Sequence, residues 1–120
     1  MNFLESSEDY LEAILVLSKQ QPNVRSIDVA NKLNFSKPSV SIAMKKLIDK
    51  ELITIDDKGY IHLLDKGSEI ASRIYERHCI LYEALKSVGV PEKLAYEDAC
   101  KIEHDLSEET FECIKKLVRK

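Results

Sequence analysis

Between residues 26 and 63 the hydrophobic period changes once, and that change leaves few folds open. Val29, Ala30 and Leu33 sit at helical spacing over about 27–33, a turn is expected from Asn34 to Lys37, and Val40, Met44, Leu47 and Ile48 resume the helical period from about Pro38 to Lys50. The period then drops to two. Leu52-Ile53-Thr54-Ile55 and Tyr60-Ile61-His62-Leu63 flank Asp56-Asp57-Lys58-Gly59, which reads as a β-hairpin with Gly59 supplying the turn conformation. Ser36 is placed to cap the second helix, and Pro38 suits its first turn. Two short helices joined by a tight turn and followed by a hairpin are the pattern of a winged helix-turn-helix.

The flanks read as helices. Residues 6–20 form the first, with Ser6 or Ser7 as cap and Tyr10, Leu11, Ile14, Leu15 and Leu17 as its apolar face, ended by Pro22 and Asn23. Residues 66–87 make one long amphipathic helix closed by Gly89; Pro91 opens another running to about Asp105, and Ser107 caps a last one to about Val118. Three helices carry more apolar surface than so small a domain buries. The surplus, including Ile74, Leu81, Leu85, Ala95, Ala99, Ile102 and Leu106, is expected to form the interface of a twofold homodimer. The fold class expected is therefore mainly α with a small β-hairpin: a winged helix-turn-helix DNA-binding domain over 1–65, then a helical dimerisation region over 66–120, which also carries most of the candidate metal ligands taken up below.

Charge supports the division. The chain is net −3, yet residues 23–50 hold Arg25, Lys32, Lys37, Lys45, Lys46 and Lys50 against only Asp28 and Asp49, a local +4. Such a basic patch is the electrostatic footprint of a module that contacts double-stranded DNA. No apolar run approaches the roughly 20 residues of a membrane span, and the acidic start carries no export pattern, so a cytoplasmic protein with no membrane partner is expected. Three cysteines, Cys79, Cys100 and Cys113, without a CxxC pair, fit a reducing compartment and argue against a structural zinc knuckle.

The chemistry concentrates in Asp98-Ala99-Cys100-Lys101-Ile102-Glu103-His104. Residues three and four apart share a helix face, so Cys100, Glu103 and His104 present a thiol, a carboxylate and an imidazole together. Asp9 and Glu12 repeat the spacing near the amino terminus, where acids also simply complement a helix dipole. His78 falls on the apolar stripe of Ile70, Ile74, Leu81 and Leu85, where an unpaired imidazole is costly. A hydrogen bond would satisfy it; so would a metal ion. No nucleophile or general base stands on a separate element with cleft-forming loops, so an enzyme is not expected.

With these residues in place, the chain resembles the metal-dependent repressors that include the diphtheria toxin repressor and the manganese transport regulators. The likeness is carried by Ser7-Glu8-Asp9-Tyr10-Leu11-Glu12, Ser36-Lys37-Pro38-Ser39-Val40-Ser41, Arg77-His78 and Ala99-Cys100-Lys101-Ile102-Glu103-His104-Asp105-Leu106-Ser107. Some members of that family add an SH3-like domain, and this chain looks like the short form without it. The resemblance implies Asp9, Glu12, His78, Cys100, Glu103 and His104 as metal ligands, binding of a divalent transition metal, Mn(II) or Fe(II) before Zn(II) or Co(II), and repression of metal-uptake genes at a palindromic operator. Bound metal would tie the first helix to the dimerisation helices and so order the DNA-reading head. Ser36, Lys37, Pro38, Ser39, Ser41, Ile42, Lys45 and Lys46 are the expected DNA contacts. The ligand set is a hybrid: manganese-type members carry a carboxylate where Cys100 stands, while iron-type members have the cysteine but a methionine in place of Asp9. Tyr82 and Tyr96 stand where iron-type members have the Glu and His of an ancillary site, and Ile42 stands where members often have Gln. The alternative is a metal-independent winged-helix regulator whose acids are surface charge.

Overall fold

The computed structural model describes residues 3–119. Its elements run α1 (Phe3–Gln20), α2 (Ser26–Leu33), α3 (Lys37–Asp49), β1 (Ile53–Ile55), β2 (Ile61–Leu63), α4 (Asp65–Ser87), α5 (Glu92–Ile102) and α6 (Glu108–Val118). They fall into two compact units, one reaching to Ser72 and one beginning at Arg73.

In the first unit, α1, α2, α3 and the hairpin close over Leu11, Ile14, Val29, Val40, Leu47 and Ile53, none more than 1% exposed. Local signals set the joints. Asn34 ends α2 in the left-handed region (φ 58°), and its amide and that of Phe35 return to the Ala30 carbonyl. Two residues later Ser36 caps α3, its hydroxyl accepting from the Ser39 amide at 3.3 Å. Strands β1 and β2 pair antiparallel, with Ile53 opposite Leu63 and Ile55 opposite Ile61. Their turn is fixed by Asp56, whose carboxylate accepts from the amides of Lys58 (2.9 Å) and Tyr60 (3.0 Å) and meets His62 Nε2 at 2.9 Å. The His62 hydrogen bond, then that from Tyr60, holds the Asp56 carboxyl below its ordinary range. Because the shift is downward, its stabilisation of the wing is present above the ordinary carboxylate range and is lost as pH falls through the lowered value.

The hairpin is locked to the start of α4 by a close backbone approach at Gly67, where a Cβ would collide with the Leu52 carbonyl oxygen and carbon. That oxygen also accepts from the Leu64 amide at 3.0 Å, so it cannot withdraw cheaply. Gly67→Ala should therefore cost about 1–3 kcal/mol by forced backbone displacement. Each kcal/mol corresponds to roughly 4–8 °C in Tm for a domain of this size. A variant melting with the wild type would refute the close packing.

In the second unit, Ile74, Ile80 and Leu81 of α4, Ala95 and Ala99 of α5 and Phe111 of α6 are buried. Gly89 (φ 98°) closes α4, with the Val90 amide returning to Leu85 and the Gly89 amide to Lys86. Ser107 caps α6 by accepting from the Thr110 amide.

Four expectations are corrected. Helix α1 already includes Phe3, so Ser6 and Ser7 lie inside it rather than at its cap; serine's modest helix penalty does not stop a helix whose other residues favour it. Ile48 is 40% exposed, because the buried stripe of α3 runs Val40, Met44, Leu47 and the next residue is turned about 100° away. Pro91 is the cap of α5 rather than its first residue, and α5 ends at Ile102 rather than near Asp105. Finally, Ile74, Leu81, Ala95 and Ala99 are at most 2% exposed within the single chain, so they are core and not spare surface. Ile102 is exposed as expected, and the other exposed large apolar side chains of this unit are Val88, Leu94, Tyr96 and Leu117.

Candidate functional site

The second unit brings three of the expected ligands to one point. His78 comes from the middle of α4, Cys100 from the last turn of α5, and Glu103 from the residue just beyond it. Glu103 keeps helical backbone angles, and its amide still bonds the Ala99 carbonyl at 3.1 Å, so the helical spacing of the sequence survives one residue past the helix end. His78 Nδ1 lies 3.0 Å from Glu103 Oε2 and 3.7 Å from Cys100 Sγ. One donor atom from each residue lies within 4.8 Å of the other two. The Glu103 carboxylate is fully buried and the His78 side chain 10% exposed. His104 is beside them, its Nε2 3.6 Å from Glu103 Oε1 and its side chain 3% exposed.

A buried carboxylate is tolerated only with partners, and a carboxylate, an imidazole and a thiol this close together are a donor set that a cation can bridge. Metal–ligand distances of about 2.0–2.3 Å place donor atoms within a few ångströms of each other, so the cluster has the dimensions of a divalent transition-metal site. Tyr82 and Tyr96 flank it: the Tyr96 ring meets His78 edge-on at 4.6 Å, and the Tyr82 ring lies parallel at 6.3 Å. The Tyr82 hydroxyl donates to Glu92 at 3.0 Å.

Asp9 and Glu12 stand on α1 in the first unit, one helical step apart and both half-buried. They share that helix with buried Ser7 and Glu8.

On the DNA side, Ser36, Lys37, Pro38, Ser39, Ser41, Ile42, Lys45 and Lys46 are all exposed. Ile42 is 58% exposed on a helix that turns Val40, Met44 and Leu47 inward. The Ser36 hydroxyl is engaged locally, donating to the Ser39 hydroxyl at 2.8 Å.

Sequence reasoning gave Arg77 no role, yet it is 8% exposed and bonded to three acceptors. Its signal was available: 77 falls between Ile74 and Leu81 at the same helical spacing that singled out His78.

Comparison with known proteins matches both units. Residues 2–63 match the family described as iron dependent repressor, N-terminal DNA binding domain, and residues 64–120 match iron dependent repressor, metal binding and dimerisation domain. The transcriptional regulator MntR of Escherichia coli O6:H1 is 32% identical over 116 residues, 97% of this chain and 75% of that protein. Among solved structures, the manganese regulator SloR superposes with a TM-score of 0.84 at 29% identity, over 94% of this chain and 53% of that one. ScaR with bound Zn2+ does so with a TM-score of 0.77 at 29% identity, again over 94% and 53%. The chain thus spans about half the length of these solved structures. No described helix is long and apolar enough to cross a membrane.

Proposed function

Since this chain belongs to the iron-dependent repressor family, over both its DNA-binding domain and its metal-binding and dimerisation domain, we propose that it is a metal-dependent repressor. In this reading a divalent transition metal bound by the second unit switches operator binding by the first. The observation that carries it is the convergence of His78 Nδ1, Cys100 Sγ and Glu103 Oε2 in a cluster whose histidine and glutamate are buried and whose cysteine is half-buried. His104 is the next donor, and Asp9 and Glu12 join the set through the family resemblance. The DNA-binding region spans 1–65 and the metal and dimer region 66–120. Two copies, joined through surface that includes the exposed Leu94, Ile102 and Leu117, present two recognition helices to a palindromic operator.

The donor set suits more than one ion. Carboxylate and imidazole suit Mn(II) and Fe(II), whereas the Cys100 thiolate favours Fe(II), Co(II) and Zn(II). Among the structural relatives, one is named a manganese regulator and another holds Zn2+. Cys100→Glu should then move the order of metal affinities toward Mn(II) relative to Zn(II), read by competitive titration of the purified protein. An unchanged order would take Cys100 out of the ligand set.

On the operator, Lys37, Lys45 and Lys46 neutralise phosphates and fix register, while Ser39, Ser41 and Ile42 face base edges. An exposed isoleucine framed by lysines and serines is suited to a thymine methyl group. Replacing the contacted thymine with uracil removes one methyl, worth about 0.8 kcal/mol or roughly fourfold in affinity. The loss should appear with the wild type and vanish with Ile42→Ala. Equal losses in both proteins would exclude Ile42 from methyl readout.

A further inference from the structure

We propose that Arg77 is a positioning residue of the metal centre: its guanidinium holds the carbonyl side of the turn that carries Glu103 and His104, where the α5 ladder supplies no donor. The inference rests on the metal-site reading above and assigns a role to a side chain that is not itself a ligand.

The last carbonyls of any helix lack intrahelical donors, and buried ones must find partners elsewhere. Helix α5 ends at Ile102, so Glu103, His104 and Asp105 stand where its ladder runs out. Arg77 Nη1 donates to the Glu103 carbonyl at 3.1 Å and to the Leu106 carbonyl at 2.8 Å, spanning the turn from both ends. Its Nη2 donates to Glu108 Oε2 at 3.0 Å in the first turn of α6. The guanidinium also lies over the Phe111 ring, 5.3 Å from its centroid. One planar group therefore fixes the main chain of a ligand residue, the end of its turn and the next helix.

Arg77 precedes His78 in α4, so a single turn of that helix supplies a candidate ligand and the clamp that sets the position of its partner. The Glu103 backbone is held by Arg77 while the Glu103 carboxylate meets His78, 3.0 Å from Nδ1. Removing the guanidinium would leave the Glu103 and Leu106 carbonyls without their charged donor. The Glu103 side chain would then no longer be held at metal-binding distance of His78 and Cys100, nor His104 beside it. Groups that orient metal ligands typically account for about 10–100-fold in metal affinity.

The test titrates the purified full chain with Co(II), reading both the dissociation constant and the ligand-field spectrum, with thermal melts of the metal-free protein alongside. Arg77→Met should weaken Co(II) by about 10–100-fold and alter the ligand-field bands. Arg77→Lys, which keeps the charge but cannot bridge two carbonyls, should fall between Arg77→Met and wild type; it decides the matter if Arg77→Met does not fold. Glu108→Gln, which loses only the ion pair to α6, should lower the melting temperature while leaving the Co(II) constant and spectrum at wild-type values. Wild-type Co(II) affinity and spectrum in Arg77→Met, or in Arg77→Lys where that variant decides, would overturn the positioning role whatever the melts show. A wild-type protein that takes up no Co(II), Mn(II) or Zn(II) would overturn the metal centre itself, and this proposal with it.

Discussion

Replacing His78 with alanine is expected to produce two losses at once. The sequence leaves two readings of this residue, a core histidine satisfied by a hydrogen bond and a metal ligand. In the structure they are compatible: Nδ1 bonds the fully buried Glu103 carboxylate at 3.0 Å and faces Cys100 Sγ at 3.7 Å. Deleting the imidazole leaves a buried carboxylate short of a partner, which should cost about 1–3 kcal/mol in the metal-free protein. It also removes one of three convergent donors. With metal at 100 times the wild-type Kd, bound ion stabilises the wild type by about 2.7 kcal/mol; an affinity reduced a hundredfold leaves only about 0.4 kcal/mol. Thermal melts with and without metal separate the effects. A His78→Ala protein whose melting temperature climbs as far as the wild type's on adding metal would remove His78 from the site.

Much of the fold and of the site is legible in the sequence, and the reasons differ from element to element. Gly59, Asn34 and Ser36 announce the joints of the winged helix because left-handed backbone and amide capping demand particular residue types. Cys100 and Glu103 were visible as a pair because helical backbone persists one residue beyond α5. The opposite holds at Glu51, which adopts the left-handed region (φ 60°) after α3 with no residue-type signal at all. Ile102 is exposed as the apolar surplus leads one to expect, but Ile74, Leu81, Ala95 and Ala99 are core, because periodicity shows that a face is apolar and not what covers it. Ile74 and Leu81 turn out to be covered within the chain, while Val88 and Leu117 are 77% and 67% exposed. Arg77 is not legible in this way, because a charged residue on an apolar stripe looks like an interruption unless its acceptors are known. Those are main-chain carbonyls, to which the sequence gives no letter.

The pairing of a metal-binding region with a DNA-reading head implies reciprocal coupling: metal raises operator affinity, and operator raises metal affinity by the same factor. An ion that favours both arrangements of the protein equally would shift nothing, so the size of the coupling measures how differently the two arrangements hold it. Couplings of this kind are typically about 1–3 kcal/mol, roughly 5–150-fold in affinity.

The most direct measurement is the affinity of the purified chain for a palindromic duplex, selected from a random library in the presence of Mn(II), compared at fixed ionic strength with and without a chelator. Salt must be held constant because phosphate contacts alone move such affinities by orders of magnitude. The account predicts that binding weakens by about 5–150-fold when metal is removed and returns on adding Mn(II), Fe(II), Co(II) or Zn(II). Equal affinity in chelator and in metal would contradict it, leaving a winged-helix protein whose DNA binding is independent of the cluster at His78, Cys100 and Glu103.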